Sequence, residues 1–109
     1  MGPREVIVTT EMIRGPKVDR LPVPSVSIAI PFDYPFEMRR AGITGEVDVR
    51  ISIQVDGHVS EVSIISSSQR EFEPTAIAAS TKARFFPAVM DGRPIACTAD
   101  YRFTFDFEH

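Results

Sequence analysis

Polar and apolar residues alternate without a break at the end of the chain. Ala99, Tyr101, Phe103, Phe105 and Phe107 hold the odd positions, and Thr98, Asp100, Arg102, Thr104 and Asp106 hold the even ones. Successive side chains of a strand point to opposite faces, so Ala96–Phe107 reads as a strand with one apolar and one wet face. It carries three of the eight Phe and one of the two Tyr, so the core has to be built against it. A second alternation runs from Gly45 to Val55, with Val47, Val49, Ile51, Ile53 and Val55 on one face. Asp56-Gly57 then predicts a tight two-residue turn with positive φ at both centres. That turn sets Val55 against His58, Ile51 against Val62 and Val49 against Ile64. Val59 and Ile65 fall on the opposite face.

The pattern changes period in two places. Pro35 is suited to a first helical position, Glu37 is early, Arg39 and Arg40 are late, and Gly42 is placed to end a helix in a left-handed conformation. These residues predict a short helix over 35–41. Glu73-Pro74 opens a second helix, over 74–83. Ala76, Ile77, Ala79 and Ala83 form its small-residue face, and Phe72 is positioned to staple onto Ala76 or Ile77. Asp91-Gly92 is another turn, leading through Arg93-Pro94 into the last strand.

The first 24 residues differ. Glu5-Val6-Ile7-Val8-Thr9-Thr10 is β-prone, and Gly15-Pro16, Pro22 and Pro24 follow it. Proline removes donors and extends the backbone, so residues 1–24 read as an extended arm or linker outside the packed core, and residues 25–109 as the domain. Val26–Ile30 is a short strand candidate that stops at Pro31. The order of arm, helix, hairpin, helix and strand predicts an α+β fold. It is a two-layer sandwich, with a small antiparallel sheet of about three strands packed on two short helices and an extended N-terminal arm.

Composition narrows the function classes. A chain of 109 residues with 43% apolar and 25% charged positions suits one soluble globular domain. The net charge is −3 with the signs interspersed, which gives no electrostatic claim on nucleic acid. A single cysteine, Cys97, excludes an internal disulfide and reads as a small filler beside an apolar strand. No apolar run is long enough to span a membrane, and no signal peptide is evident. Met1-Gly2-Pro3 and His109 look like the ends of an excised piece, which leaves open whether an anchor or signal precedes it.

Candidate chemistry is sparse. His58 stands in a turn beside Asp56, with no second His or Cys at ligand spacing. Ser66-Ser67-Ser68 lacks a nucleophile elbow and reads as strand-end serines that satisfy backbone groups. Asp56 with Glu61, and Glu71 with Glu73, have nothing around them to drive their pKa values apart. Neither Asp-Gly turn lies in a Gly-rich phosphate loop. The aromatic residues of the last strand share the face that the core needs, which argues against base stacking. Nothing points to an enzyme or a cofactor.

An ordered set of short motifs remains. It comprises Asp33-Tyr34-Pro35, Arg40-Ala41-Gly42-Ile43-Thr44-Gly45-Glu46-Val47 and Val55-Asp56-Gly57-His58-Val59. It continues through Phe72, Pro74 and Ala76, then Arg84-Phe85-Phe86-Pro87-Ala88, Asp91-Gly92-Arg93-Pro94-Ile95 and Phe103-Thr104-Phe105. With this spacing, from about Pro31 to Phe107, the set resembles the C-terminal domain of the TonB family. The resemblance implies a periplasmic domain of an inner-membrane-anchored protein that passes force from a proton-driven motor complex to outer-membrane transporters. It implies a partner, the transporter's TonB-box peptide, added as a strand beside the domain's last strand, here Thr98, Ala99, Asp100, Tyr101, Arg102, Phe103, Thr104 and Phe105. The segment before the first helix also touches the partner in that family, which implies contacts from Phe32, Asp33 and Tyr34. The usual Gln of that segment is replaced by Ile30, the spacing has one extra residue, and the later aromatic pair is Phe85-Phe86. The alternative is an unanchored envelope interaction or assembly module of the same fold. Glu5–Thr10 itself resembles a TonB box. It is read first as a β-prone linker and second as a segment that pairs with the last strand of its own chain or of a homodimer partner.

Overall fold

The computed structural model describes residues 6–25 and 35–107. The strand candidate at 26–30 and the candidate partner contacts Phe32, Asp33 and Tyr34 lie outside the described residues. In chain order the elements are β1 (Val6–Arg14), β2 (Val23–Pro24), α1 (Phe36–Ala41), β3 (Gly45–Ile53), β4 (Val59–Ser67), a 3-10 turn (Arg70–Phe72), α2 (Glu73–Lys82), β5 (Phe85–Phe86), β6 (Ala88–Met90), β7 (Arg93–Ile95) and β8 (Cys97–Phe107). The fold is the α+β sandwich expected from the pattern.

The main sheet is antiparallel and has four strands in the order β1-β8-β3-β4. Its centre follows from the two long alternations. β3 and β8 pair from Gly45↔Phe105 to Ile53↔Cys97, which puts Val47 opposite Phe103, Val49 opposite Tyr101 and Ile51 opposite Ala99. Those residues, with Ile53, Phe105 and Phe107, are buried together with Phe72, Phe85, Ala76, Ala79 and Ala83. Phe72 stacks on Phe105, with ring centroids 4.4 Å apart and planes 9° apart. Its ring therefore packs on the sheet, in the same buried cluster as Ala76, while Ile77 is exposed.

The arm is where the structure departs from the sequence reading. Val6–Arg14 does not lie outside the core but forms the fourth strand of the sheet. Val6, Val8 and Met12 pack against the core cluster from its edge, and the chain then stays on the domain. Arg20 bridges Val89, with Asp19 N–H and Arg20 N–H both donating to its carbonyl at 3.0 and 3.1 Å. β2 pairs with β5, Val23 opposite Phe86 and Pro24 opposite Phe85.

The hairpin is also wider than expected. Val55 is outside β3, Gln54 N–H donates to His58 O at 2.9 Å, and Gly57 N–H donates to Gln54 O. Gly57 has φ +89, and Asp56 is not in the left-handed region. Ile51↔Val62 and Val49↔Ile64 pair as predicted, but Ile53 pairs with Val59 across a register shift. The extra residue, Ser60, is a bulge that turns Val59 to the core side, where it packs with Val62 and Ile64. Asp91-Gly92 is the tight turn of the β6–β7 hairpin, with both residues at positive φ.

Both helices lie on the core side. α1 begins after Pro35, which flanks the helix and does not occupy its first turn. Gly42 ends it at φ 70, ψ 26. The helix has no buried residue, and Met38 and Ile43 attach it to the core from its rim. In α2 the buried stripe is Ala76, Ala79 and Ser80, continued by Ala83 just past its end, with Thr75 beside it, while Ile77 is exposed. Positions 76, 79, 80 and 83 follow the helical repeat, so the polar Ser80 belongs to the inner face and the apolar Ile77 does not.

Candidate functional site

The candidate strand β8 divides its residues between two jobs. Ala99, Tyr101, Phe103 and Phe105 point into the core, and each is at most 4% exposed. Tyr101 lies against Phe85 with ring centroids 5.8 Å apart. Burial, with a smaller electrostatic contribution from Cys97, pushes its phenol up to about 12. The odd-numbered candidates are thus structural in their side chains.

Two even-numbered candidates, Asp100 and Arg102, build a cross-strand charge lattice with β3. Arg50 and Asp100 are directly opposite, with Arg50 Nε 2.9 Å from Asp100 Oδ1 and Nη2 3.2 Å from Oδ2. One pair along, Arg102 Nε is 2.8 Å from Asp48 Oδ1, and Nη2 is 3.1 Å from Oδ2. Glu46 Oε2 also lies 3.0 Å from Arg102 Nε. Such forks hold both side chains in one plane and fix the register of β3 against β8. The hydrogen bonds from Arg102 hold the Asp48 carboxyl below its ordinary value. Those to Asp48 and Asp100 raise Arg102 and Arg50 further above theirs.

The sequence reading placed β8 at a free sheet edge. In the structure it is an inner strand, flanked by β3 on one side and β1 on the other. The β1–β8 ladder is antiparallel and runs from Val6↔Phe107 through Val8↔Phe105, Thr10↔Phe103 and Met12↔Tyr101, with a bulge before Arg14↔Asp100. Val6, Val8, Thr10 and Met12 share the core side, and Ile7, Thr9, Glu11 and Ile13 face out. Glu11 stands opposite Arg102 and adds to the field that keeps it charged. The structure therefore brings Thr98–Phe105 together with a segment that the sequence reading left as a linker. Alternation from Val6 through Met12 was a signal that the segment is a strand, though not of which strand it joins.

The other candidate groups have structural partners. Ser68 Oγ accepts the Glu46 N–H at 2.8 Å, Ser66 bonds Asp48, and Ser67 bonds Glu73. Asp56 accepts both the backbone N–H and the ring nitrogen of His58, and its carboxyl is lowered, chiefly by the former. Cys97 is partly buried, which raises its thiol. Among the described residues no group of three or more His, Cys, Asp or Glu is arranged to hold a metal. Among them, no helix is long and apolar enough to cross a membrane.

The family model described as Gram-negative bacterial TonB protein C-terminal matches residues 30–107. The chain belongs to the TonB C-terminal family. The solution NMR structure of the Pseudomonas aeruginosa TonB C-terminal domain is similar to it, with 30% sequence identity and a TM-score of 0.64. That similarity covers 81% of this chain and 88% of the other. A search of the curated proteins finds no match. In this TonB-family domain the matched region holds α1 through β8, and β1 lies on its N-terminal side.

Proposed function

We propose that this domain is a periplasmic force-coupling module. It takes the TonB-box peptide of an outer-membrane transporter as an added strand beside β8. The observation that carries this reading is the β1–β8 ladder: the outward edge of β8 accepts an extended segment in register along almost its whole length. In strand addition, backbone groups supply the affinity and side-chain positions supply the selection. Within the site Thr98, Ala99, Asp100, Tyr101, Arg102, Phe103, Thr104 and Phe105, the alternate residues whose main-chain N–H and C=O groups point away from β3 then serve the guest. Arg102 and Thr104 tune the choice of peptide, and Phe32, Asp33 and Tyr34 extend the contact. A membrane anchor upstream would link the domain to the motor proteins of the inner membrane. Load applied along β8 reaches the guest as shear across many hydrogen bonds, and the forks to β3 tie the loaded strand into the sheet.

The test is a titration of the isotope-labelled chain with a synthetic transporter TonB-box peptide, followed by backbone amide shifts. The expected result is perturbation centred on residues 98–105. Shifts confined to the outer edge of β4 would contradict the assignment.

The same ladder favours a second reading. A segment that pairs with β8 of its own chain is able to pair with β8 of a second copy, which gives a self-associating assembly module. Sedimentation velocity over a range of concentrations separates the two.

A further inference from the structure

The segment on the edge of β8 is built to be removable. Every residue of the fully buried cluster comes from β3, the 3-10 turn, α2, its C-terminal flank at Ala83, β5 and β8, and none comes from β1. Val6, Val8, Thr10 and Met12 are only partly buried, and Ile7, Thr9, Glu11, Ile13 and Arg14 are exposed. The arm thus contributes only partly buried side chains at the margin of the core, and the attachment of β1 rests on backbone pairing and that apolar margin. The tether behind it is held separately, on other elements of the domain. Asp19 and Arg20 bond the backbone of Val89, the Asp91 N–H donates to the Asp19 carboxylate at 2.8 Å, and the Ser25 N–H donates to Arg84 O at 2.9 Å. Only residues 15–18 separate that anchor from the end of β1. A strand tethered so closely is present at an effective concentration on the order of millimolar, so a modest intrinsic pairing keeps the edge filled.

We propose that Val6–Arg14 is the resident occupant of an exchangeable strand site on β8. It competes with any guest peptide, and its sequence describes the guests that fit. The matching guest is an extended segment with β-branched residues opposite Phe107, Phe105 and Phe103, as Val6, Val8 and Thr10 are, and a longer apolar residue opposite Tyr101, as Met12 is. It carries hydroxyl or carboxylate side chains on the other face, with an acid in register with Arg102. On that outer face Thr9 of the arm supplies the hydroxyl and Glu11 the acid. This rests on the reading that a guest strand adds at β8, and it adds that guest binding requires the arm to leave. A guest of either strand polarity meets the same competitor, because both need the same row of backbone groups.

The test uses the whole chain and, as probe, a fluorescent peptide with the sequence of residues 5–12, measured by anisotropy. In one variant, Val8→Asp with Met12→Asp, the arm is weakened at two partly buried positions at the margin of the core. In a second, Thr9→Cys with Thr104→Cys in a Cys97→Ser background, a disulfide joins directly opposite residues and locks the arm when oxidised. The probe is expected to bind the weakened-arm variant about ten-fold or more tightly than the unaltered chain. It should bind the locked variant only after reduction. Equal binding to the oxidised and reduced forms, or no binding to the reduced form and the weakened-arm variant alike, overturns the proposal. So does a lock that runs as a disulfide-linked dimer, which would place the arm on a second copy. If the residue 5–12 probe behaves as expected while a transporter TonB-box peptide binds no variant, the exchangeable site stands and the proposed partner fails.

Discussion

Arg102 and Asp48 face each other directly across the β3–β8 ladder and share two hydrogen bonds, of 2.8 and 3.1 Å. The pair sits on the strand where the proposed function places a mechanical load, and it makes the stability of the sheet depend on pH. The Asp48 carboxyl is held below its ordinary 3.8, so the unfolded chain takes up that proton more readily than the folded one. The resulting stabilisation is complete above the unfolded value and disappears as pH falls through the lower folded value. Urea midpoints measured down through about pH 4 should fall for the natural chain. They should fall less steeply for Asp48→Asn, which has no proton to gain. Parallel slopes for the two would show that the fork has no part in acid sensitivity.

Gly57 and Gly42 give a matched pair of substitutions. Both have positive φ, +89 and +70. A Cβ on Gly57 would lie 1.9 Å from the Phe85 carbonyl oxygen, while a Cβ on Gly42 meets nothing within 4 Å. Gly42→Ala should cost about 1 kcal/mol, from backbone conformation alone. Gly57→Ala has to push the hairpin off β5 as well, and should cost about 3 kcal/mol or more. Chemical denaturation of the two variants reads the difference, and equal losses would contradict the close approach.

Two buried hydroxyls, those of Ser80 and Tyr101, have no hydrogen-bond partner among the described residues. Ser80→Ala also favours helix, so it should raise stability by about 1 kcal/mol. Tyr101→Phe should be neutral or slightly stabilising, by about the same amount at most, although Tyr101 lies within the proposed strand site. A loss of more than about 1 kcal/mol in either variant would reveal a partner for that hydroxyl.

The stack of Phe72 on Phe105 couples the 3-10 turn to the strand. Phe72→Ala removes a ring that is 0% exposed, and should cost about 3–5 kcal/mol. A double-mutant cycle with Phe105→Leu should leave about 0.5–1.5 kcal/mol of coupling. Coupling near zero would mean that the two rings are neighbours without a specific interaction.

Much of this fold was legible because side-chain period and backbone punctuation are local. The alternations from Val47 to Ile53 and from Ala99 to Phe107 marked the two central strands and their inner faces. Gly42 and Asp91-Gly92 sat where only a left-handed backbone would close the turn. Through α2 and just past its end the repeat 76, 79, 80, 83 was present in the sequence, but the hydroxyl of Ser80 hid it and Ile77 drew attention to the wrong side. The face of Val59 was not readable, because the bulge at Ser60 inverts the alternation and belongs to the pairing of two strands.

By itself the sequence determined which residues of the last strand point into the core, since the two-residue period needs no knowledge of neighbours, but not that Asp100 on the other face is covered to 5% exposure. It also carried the ordered motifs of the TonB C-terminal family. Only the tertiary structure decided what lies along the edge of β8. Edge pairing is made by backbone N–H and C=O groups that almost every residue possesses, so the proposed site, Thr98–Phe105, has no side-chain signature of its occupancy. A β-branched stretch such as Val6–Arg14 shows that it can be a strand, and three-dimensional proximity alone determines whose strand it joins.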